Sequence, residues 1–189
     1  MNTWMTSDNH FFHKNIKRFC PETRQGDTVE EMNELMIQKW NQDVKPLDLV
    51  YCMGDFSFGW EDNTEKVLRR LNGIKVLVLG NHEKYLRKLP ECNPDGNRYF
   101  IDIQDYIFTK IDDHEVVMFH YPIWEWRNMH RGSFHLYGHV HGGVQIPGRA
   151  MDVGIDTRPN KDMTLWPWEE VKETLLKREI RSHHDRDGQ

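Results

Sequence analysis

Short apolar runs that end in a glycine or a charged side chain recur along the chain. The run from Leu49 to Met53 is the clearest, because five apolar or aromatic residues stand together directly before Gly54. A run of this length is too short for a helix and predicts a buried strand. Gly54 ends the run, and the carboxylate of Asp55 follows. We therefore expect Asp55 to stand at the mouth of a strand.

Four further runs have the same form, and each is followed by side chains that can bind a metal or move a proton. They are Thr3–Ser7 before Asp8 and His10, Ile74–Leu79 before Asn81 and His82, Val116–Phe119 before His120, and Phe134–Tyr137 before His139 and His141. In open α/β sheets, ligands bind beyond the carboxyl ends of the strands. We therefore expect these side chains to form a common site.

Segments with apolar residues at helical spacing alternate with these runs in the first half of the chain. The best-defined segment begins after Asp27 or Thr28, where a capping residue precedes acidic side chains, and it ends near Asp43. Its apolar residues predict an amphipathic helix. The other predicted helices are a short one within Phe11–Cys20, then Asp62–Leu71, Glu83–Leu89 and Trp168–Ile180.

From Tyr99 onward the pattern changes to strand-type alternation. Tyr99–Ile111 and Glu115–Phe119 flank a predicted hairpin turn, and Met151–Ile155 continues the strands. In the first half of the chain, helices alternate with strands, and in the second half one strand follows another. This order predicts two packed sheets with helices outside. Without a repeat or a linker in the sequence, we expect one domain over residues 1–181 and a polar tail over residues 182–189.

Composition and charge narrow the class of protein without selecting a substrate. The chain has 189 residues and a formal net charge of −5, which disfavours a protein that coats duplex nucleic acid. Bound divalent cations would still make a local site positive. Three widely spaced cysteines do not suggest a disulfide framework, and the first residues lack the pattern of a leader peptide. We therefore expect a cytoplasmic protein without a membrane span.

The donor set itself suggests a metal centre. Five histidines and three Asp or Asn residues follow the strand-like runs, which is more than one tetrahedral zinc requires. Imidazole and carboxylate together suit Mn, Fe, Zn, Co or Ni better than Ca or Mg alone. Two metals that share a bridging carboxylate, about 3.5–4 Å apart, would use the whole set. The alternative is a single structural zinc that leaves several of these residues unused.

Five short motifs together resemble the signature of the calcineurin-like metallophosphoesterase superfamily, from residue 8 to residue 141. They are Asp8-Asn9-His10, Gly54-Asp55, Gly80-Asn81-His82-Glu83, His120 and Gly138-His139-Val140-His141. Residues 152–156 and Pro167 also resemble the tail of the small bacterial and phage members. The resemblance implies an α/β fold, a four-layer αββα sandwich with two mixed β-sheets.

The resemblance also implies a dinuclear centre with two divalent ions, manganese first, with Fe, Zn, Co or Ni as alternatives. A hydroxide that bridges the metals would attack phosphorus, and His82 would act as general acid toward the leaving oxygen. One implied metal is bound by Asp8, His10, Asp55 and His141, and the other by Asp55, Asn81, His120 and His139.

The chain departs from the phosphoprotein phosphatase branch of the superfamily, whose motif continues as GDxxDRG. Phe58 stands in place of the second Asp, and Gly59 in place of the Arg that grips phosphate. We therefore expect a phosphodiester substrate of nucleotide type, with single-stranded nucleic acid included. The alternatives are a phosphomonoesterase, a phosphoprotein phosphatase, and a non-catalytic scaffold with the same fold. A protein partner is not indicated by the sequence.

An aromatic and basic stretch between His120 and His139 supplies candidate substrate contacts. A base could stack on a tryptophan there while an arginine meets phosphate. The alternative is that the tryptophans pack the loop and the arginines are solvated. The candidates are Trp124, Arg127, His130 and Arg131, with His13 and Asn15 as further candidates for the same rim.

Overall fold

The computed structural model describes residues 1–84 and 86–182, and within them four α-helices and nine strands alternate as follows. The elements are β1 (Thr3–Thr6), α1 (Ile16–Phe19), α2 (Val29–Asp43), β2 (Leu49–Cys52), α3 (Glu61–Leu68), β3 (Ile74–Val78), β4 (Asp102–Gln104), β5 (Tyr106–Ile111), β6 (His114–Phe119), β7 (Phe134–Tyr137), β8 (Ala150–Asp152), β9 (Trp166–Pro167) and α4 (Trp168–Leu176). Short 3₁₀ turns occupy Leu86–Lys88, Met129–Arg131 and Ile155–Thr157.

The strands form two mixed sheets. The first sheet has the order β4-β3-β2-β1-β9, with β1 to β4 parallel and β9 antiparallel to β1. The second has the order β5-β6-β7-β8, with β6 to β8 parallel and β5 antiparallel to β6. In each sheet the parallel strands therefore deliver their carboxyl ends to one edge, as the sequence pattern predicts.

The two sheets pack face to face across a continuous apolar core. Met5 and Val78 from the first sheet belong to the same buried cluster as Met118 and Leu136 from the second. Val171 of α4 joins this cluster, so α4 closes one side of the sandwich. The predicted sandwich with two mixed sheets is confirmed.

Each sheet also has a covered outer face. Helices α2 and α3 cover the first sheet through a cluster that includes Met36, Trp40 and Leu68. The segment that contains Trp126 and Ile146 covers the second sheet, so this layer consists of loop and 3₁₀ turn. The part of this segment around Trp126 lies within the stretch between His120 and His139 that was proposed as a substrate rim.

Helix α2 forms where its signals predict it. Thr28 is the N-cap: its hydroxyl accepts the Glu31 N–H at 3.1 Å, and the Glu31 carboxylate accepts the Thr28 N–H at 3.3 Å. This reciprocal capping box satisfies two backbone donors at the helix start. The hairpin between β5 and β6 is also confirmed, with Asp112 at a positive φ of 51°.

Three predicted helices are shorter than the pattern indicated. Helix α3 ends at Leu68 and α4 at Leu176, and the predicted helix Glu83–Leu89 is only the turn Leu86–Lys88. In the last case Glu83 is held elsewhere, because its carboxylate accepts the Phe56 N–H at 2.9 Å. The short strand β9 was not predicted, since two residues carry no periodic signal.

The remaining expectations concern the cysteines, the membrane and the tail. All three cysteines are free thiols, as expected. No helix in the described part of the chain is long and apolar enough to cross a bilayer. Of the predicted tail, only Ser182 is described and residues 183–189 lie outside the described residues, so the division at residue 181 stays a prediction.

Candidate metal centre

Strand register brings the motif residues together at one edge of the sandwich. Thr6, Cys52 and Leu77 are level in neighbouring parallel strands, so the loops after β1, β2 and β3 begin side by side. The Asp8 N–H donates to the Gly54 carbonyl at 3.0 Å, which joins the first two loops. The second sheet adds His120 after β6 and the loop after β7 at the same edge.

The first group of donor atoms comprises Asp8, His10 and His141. One donor atom from each lies within 4.8 Å of the others. The Nε2 atoms of the two histidines are 3.2 Å apart, and each lies 3.8–3.9 Å from Asp8 Oδ1. Side chains placed this close together could hold one cation.

The second group comprises Asp55, His120 and His139, again with donor atoms within 4.8 Å. Asn81 joins it, because its Oδ1 lies 3.2 Å from His120 Nε2. Asp55 faces both groups: its Oδ1 is 3.6 Å from His120 Nε2, and its Oδ2 is 3.8 Å from His10 Nε2. The two oxygens of one carboxylate therefore point to the two groups.

The histidine hydrogen bonds fit cation binding. His120 Nδ1 lies 2.7 Å from the Met53 carbonyl, so this nitrogen carries the proton and donates it. In a neutral ring, Nε2 then has only a lone pair, and it faces the acceptor Oδ1 of Asn81. Two acceptors that face each other at 3.2 Å repel unless a cation lies between them. The donor set therefore fits a divalent metal.

The electrostatics of Asp8 and His10 in the first group point the same way. Burial raises the pKa of the Asp8 carboxyl to about 8, although nearby His141 acts in the opposite direction. Burial, followed by the charge of Arg24, lowers the pKa of His10 well below its ordinary value. A neutral imidazole is the form that ligates a metal, and a cation would compensate the carboxylate charge that burial disfavours.

The loops that carry the donor atoms are strained. Five of these residues have φ between 47° and 70°, in the left-handed region that non-glycine residues avoid. Each such conformation costs on the order of 1–3 kcal/mol and persists where the surrounding structure imposes it, most often at functional sites. The five are Asp8, His10, Asp55, His139 and His141.

Two motif glycines are required by close approaches. A Cβ on Gly138 would lie 1.8 Å from Ser7 Oγ and 2.4 Å from an Asp8 carboxylate oxygen. Gly54 has a φ of 89°, and a Cβ there would lie 2.6 Å from His120 Nδ1. The backbone must therefore come this close for the carboxylates and imidazoles to converge.

A buried arginine that the sequence analysis missed orients the first group. Arg24 forms a two-pronged ion pair with Asp156, at 2.9 Å through Nε and 2.6 Å through Nη2. It also donates to the carbonyls of Asp8 and Asn9 at 2.6 and 2.8 Å. Arg24 lies in the loop between α1 and α2, where no local spacing marks it.

Asp156 in turn fixes the orientation of the His141 ring. Its Oδ2 lies 2.7 Å from His141 Nδ1, which leaves Nε2 for the first group. Burial alone lowers the pKa of His141, but the hydrogen bond to Asp156 and the contact with Cys20 raise it to about 10. In the sequence, Asp156 is recognisable only as part of a family-like tail, without a role of its own.

Glu83, the last residue of its motif, joins two loops of the site. Its Oε1 accepts the Phe56 N–H at 2.9 Å, so the loop after β3 is fixed to the loop after β2. Burial raises the pKa of this carboxyl to about 7. In the sequence, Glu83 is recognisable as a motif residue, but no function follows from its position.

His82 lies at the open side of the centre. Its backbone N–H donates to Asp55 Oδ1 at 3.0 Å, and its side chain is 42% exposed. Nε2 lies 3.8 Å from Asp55 Oδ2, so the exposed ring still points toward the shared carboxylate. The ring is within reach of the donor atoms and of solvent.

The proposed rim residues have partners elsewhere in the described part of the chain. The Arg181 guanidinium lies 3.9 Å over Trp124, and the Arg127 guanidinium lies 4.1 Å over Phe108. Arg131 lines a cavity with Lys110 at the amino end of β7. This is the edge of the sheet opposite the one that carries the donor atoms. His130 is exposed in the 3₁₀ turn beside Arg131. The structure does not bring the two arginines to the donor set, and the role of all four as substrate contacts stays a prediction.

Comparisons with known proteins find similar sequences. The sequence model described as calcineurin-like phosphoesterase matches residues 1–143. An uncharacterized protein of Methanocaldococcus jannaschii is 35% identical over 100 residues, which span 52% of this chain and 56% of that protein. The gene 66 protein of Mycobacterium phage L5 is 25% identical over 82% of this chain and 86% of its own length.

A solved structure shares the fold. The protein of unknown function AQ665 from Aquifex aeolicus superposes with a TM-score of 0.68 at 22% identity, over 92% of this chain and 98% of its own. At this identity the similarity concerns the fold alone.

Proposed function

The chain belongs to the calcineurin-like phosphoesterase family, and from this we propose that it is a dinuclear metal-dependent phosphodiesterase with a nucleotide-type substrate. One observation carries the proposal: the two groups of donor atoms share the carboxylate of Asp55, with one oxygen toward each group. A single structural zinc would not need the second group. Conversion of a phosphate diester in the presence of manganese tests the proposal.

Seven residues would hold the two cations, with manganese as the first choice. When bound, the cations would supply Lewis-acid charge to the phosphoryl group and to the attacking water. The first site would use Asp8, His10, His141 and one oxygen of Asp55, and the second Asn81, His120, His139 and the other oxygen of Asp55.

The protein's own part in the chemistry is orientation and proton transfer. The Met53 carbonyl holds the His120 ring with Nε2 inward, and Asp156 does the same for His141. His82 would donate a proton to the leaving oxygen, since its Nε2 lies 3.8 Å from the shared carboxylate. General acid catalysis of this kind contributes roughly 10²–10⁴-fold.

The preference for a diester follows from the loop after β2. A monoester dianion favours an arginine fork, and Gly59 occupies that position. A Cβ on Gly59 would lie 2.6 Å from Phe12 Cδ2, so the position is closed by packing. The Arg127 guanidinium lies over the Phe108 ring and therefore does not supply the missing fork. Phe58 is half-buried and can face the second ester arm, whereas Phe56 is fully buried in the core.

We expect kcat/KM for bis(p-nitrophenyl) phosphate to exceed that for p-nitrophenyl phosphate at the same manganese concentration and pH. The diester carries one negative charge and needs no arginine fork, while its second arm can lie against the half-exposed edge of the Phe58 ring. Release of p-nitrophenol measures both reactions. A tenfold advantage of the monoester, equivalent to ~1.4 kcal/mol in transition-state binding, would contradict the diesterase assignment. No turnover of either ester would favour the non-catalytic scaffold.

We expect His82→Ala to retain bound metal and to lose turnover selectively. Esters with poor leaving groups need the proton and should slow by roughly 10²–10⁴-fold. Esters with an activated phenol should slow far less, because p-nitrophenolate leaves without protonation. Parallel rates on diphenyl and bis(p-nitrophenyl) phosphate measure the difference, with elemental analysis as the control for metal content. Equal losses on both esters would argue against the general acid role.

A further inference from the structure

Phe58 stacks against His82. In the phosphoprotein phosphatase branch this position is an aspartate that orients the catalytic histidine, and here it is an aromatic ring. The Phe58 and His82 ring centroids are 4.3 Å apart with an interplanar angle of 36°. On its other side Phe58 stacks on His13, at 3.9 Å and 8°. The His13 and Phe58 rings are stacked and the Phe58 and His82 rings are tilted, and the three form one row of rings, the stack, at the edge of the centre.

The backbone holds Phe58 firmly in this stack. Its N–H donates to the Phe11 carbonyl at 2.8 Å, next to a bridge between Phe11 and Ser57. The Ser57 hydroxyl accepts the Gly59 N–H at 3.0 Å and lies 2.8 Å from the Thr64 hydroxyl. Residues on both sides of Phe58 are therefore fixed, and its ring is backed by the stacked ring of His13.

His82 needs such a support. Its main chain is held by the hydrogen bond to Asp55, but a side chain that is 42% exposed can rotate about its own torsions. An aromatic ring against one face limits that rotation through the geometric preference of stacked rings. It also leaves both ring nitrogens free at the ring edge, so the proton remains available to a substrate.

We propose that Phe58, backed by His13, is a positioning residue that holds His82 in the orientation for proton transfer, in place of the aspartate of the other branch. This inference rests on the proposed function of His82 as general acid. The stack replaces a hydrogen bond to one ring nitrogen with contact on the ring face. The His82 Nε2 atom stays directed at the shared carboxylate, 3.8 Å from Asp55 Oδ2.

The test compares Phe58→Leu with Phe58→Tyr on two diesters whose leaving groups differ in basicity. A misplacement of about 1 Å can cost roughly 10²-fold, so Phe58→Leu should lose about 10- to 100-fold in kcat on diphenyl phosphate and less than about threefold on bis(p-nitrophenyl) phosphate. Phe58→Tyr keeps the aromatic ring, so its kcat on each diester should equal that of the wild type. Phe19→Leu is the matched control, because the Phe19 ring lies 6.4 Å from His13 on the far side of the stack.

A second readout does not depend on turnover. In the metal-free protein, loss of the Phe58 ring current should shift the ¹H–¹³C resonance of the His82 ring in Phe58→Leu, and Phe58→Tyr should retain the wild-type position. If Phe58→Leu does not fold, His13→Leu removes the backing ring instead and should give the same selective loss. Equal losses on both diesters, or an unshifted His82 resonance, would overturn the positioning role. If His82→Ala itself shows no leaving-group dependence, the general acid proposal fails instead.

Discussion

Asp55→Asn is expected to remove bound metal and turnover together. The two oxygens of this carboxylate face different groups of donor atoms, at 3.6 and 3.8 Å. An amide offers one neutral oxygen, so it can serve one group and contributes no negative charge to either. The loss of metal affinity should exceed the roughly 10–100-fold that changes in outer-shell partners cause. Elemental analysis after dialysis, with about two ions per chain expected in the wild type, measures it.

The matched control is Asp113→Asn, which removes an exposed carboxylate in the hairpin between β5 and β6. It should bind metal and turn over diester as the wild type does. Two bound ions and full activity in Asp55→Asn would contradict the bridging role. A wild-type protein with one tightly held zinc and no activation by manganese would contradict the dinuclear centre itself.

The donor set could be predicted from sequence because each member follows a strand. Asp8, Asp55 and Asn81 come after three neighbouring parallel strands of the first sheet, and parallel strands end at the same edge. His120 and His139 follow adjacent strands of the second sheet in the same way. The helix after Thr28 was equally predictable, since a capping box and an apolar face are local features.

The supporting residues could not be predicted because their contacts are not local. Arg24 and Asp156 are 132 positions apart and meet only when the loop after α1 lies against the loop after β8. The stack of Phe58 on His13 likewise joins two separate loops. The course of the segment with Arg127 and Arg131 could not be predicted for a related reason, because it follows the outer face of the second sheet through contacts that are not local.

Arg24→Met is expected to destabilise the fold and weaken metal binding through separate contacts. Arg24 and Asp156 are 2% and 4% exposed, so removal of the guanidinium leaves a buried carboxylate with only His141 to balance its charge. Such a change typically costs about 3–5 kcal/mol of unfolding free energy. Asp156 would also hold His141 less firmly, which should lower metal affinity by roughly 10–100-fold. Urea unfolding of the metal-free protein and manganese titration measure the two effects.

Arg70→Met supplies the matched control, because it breaks an exposed pair with Glu34 at 2.5 Å. Exposed pairs are worth about 1 kcal/mol at most, so its unfolding free energy should change little and its metal affinity not at all. A loss in Arg24→Met no larger than in this control would contradict the structural role of the buried pair.

The double variant Arg24→Met with Asp156→Leu separates stability from metal binding. Replacement of both members of a buried ion pair by apolar side chains is often close to neutral for stability, so the double variant should recover most of what Arg24→Met loses. Metal affinity should not recover, because His141 Nδ1 loses the carboxylate that lies 2.7 Å away and fixes which nitrogen faces the centre. Recovery of both stability and metal affinity would mean that Asp156 serves only to balance the charge of Arg24. Recovery of stability alone would assign Asp156 to the orientation of His141.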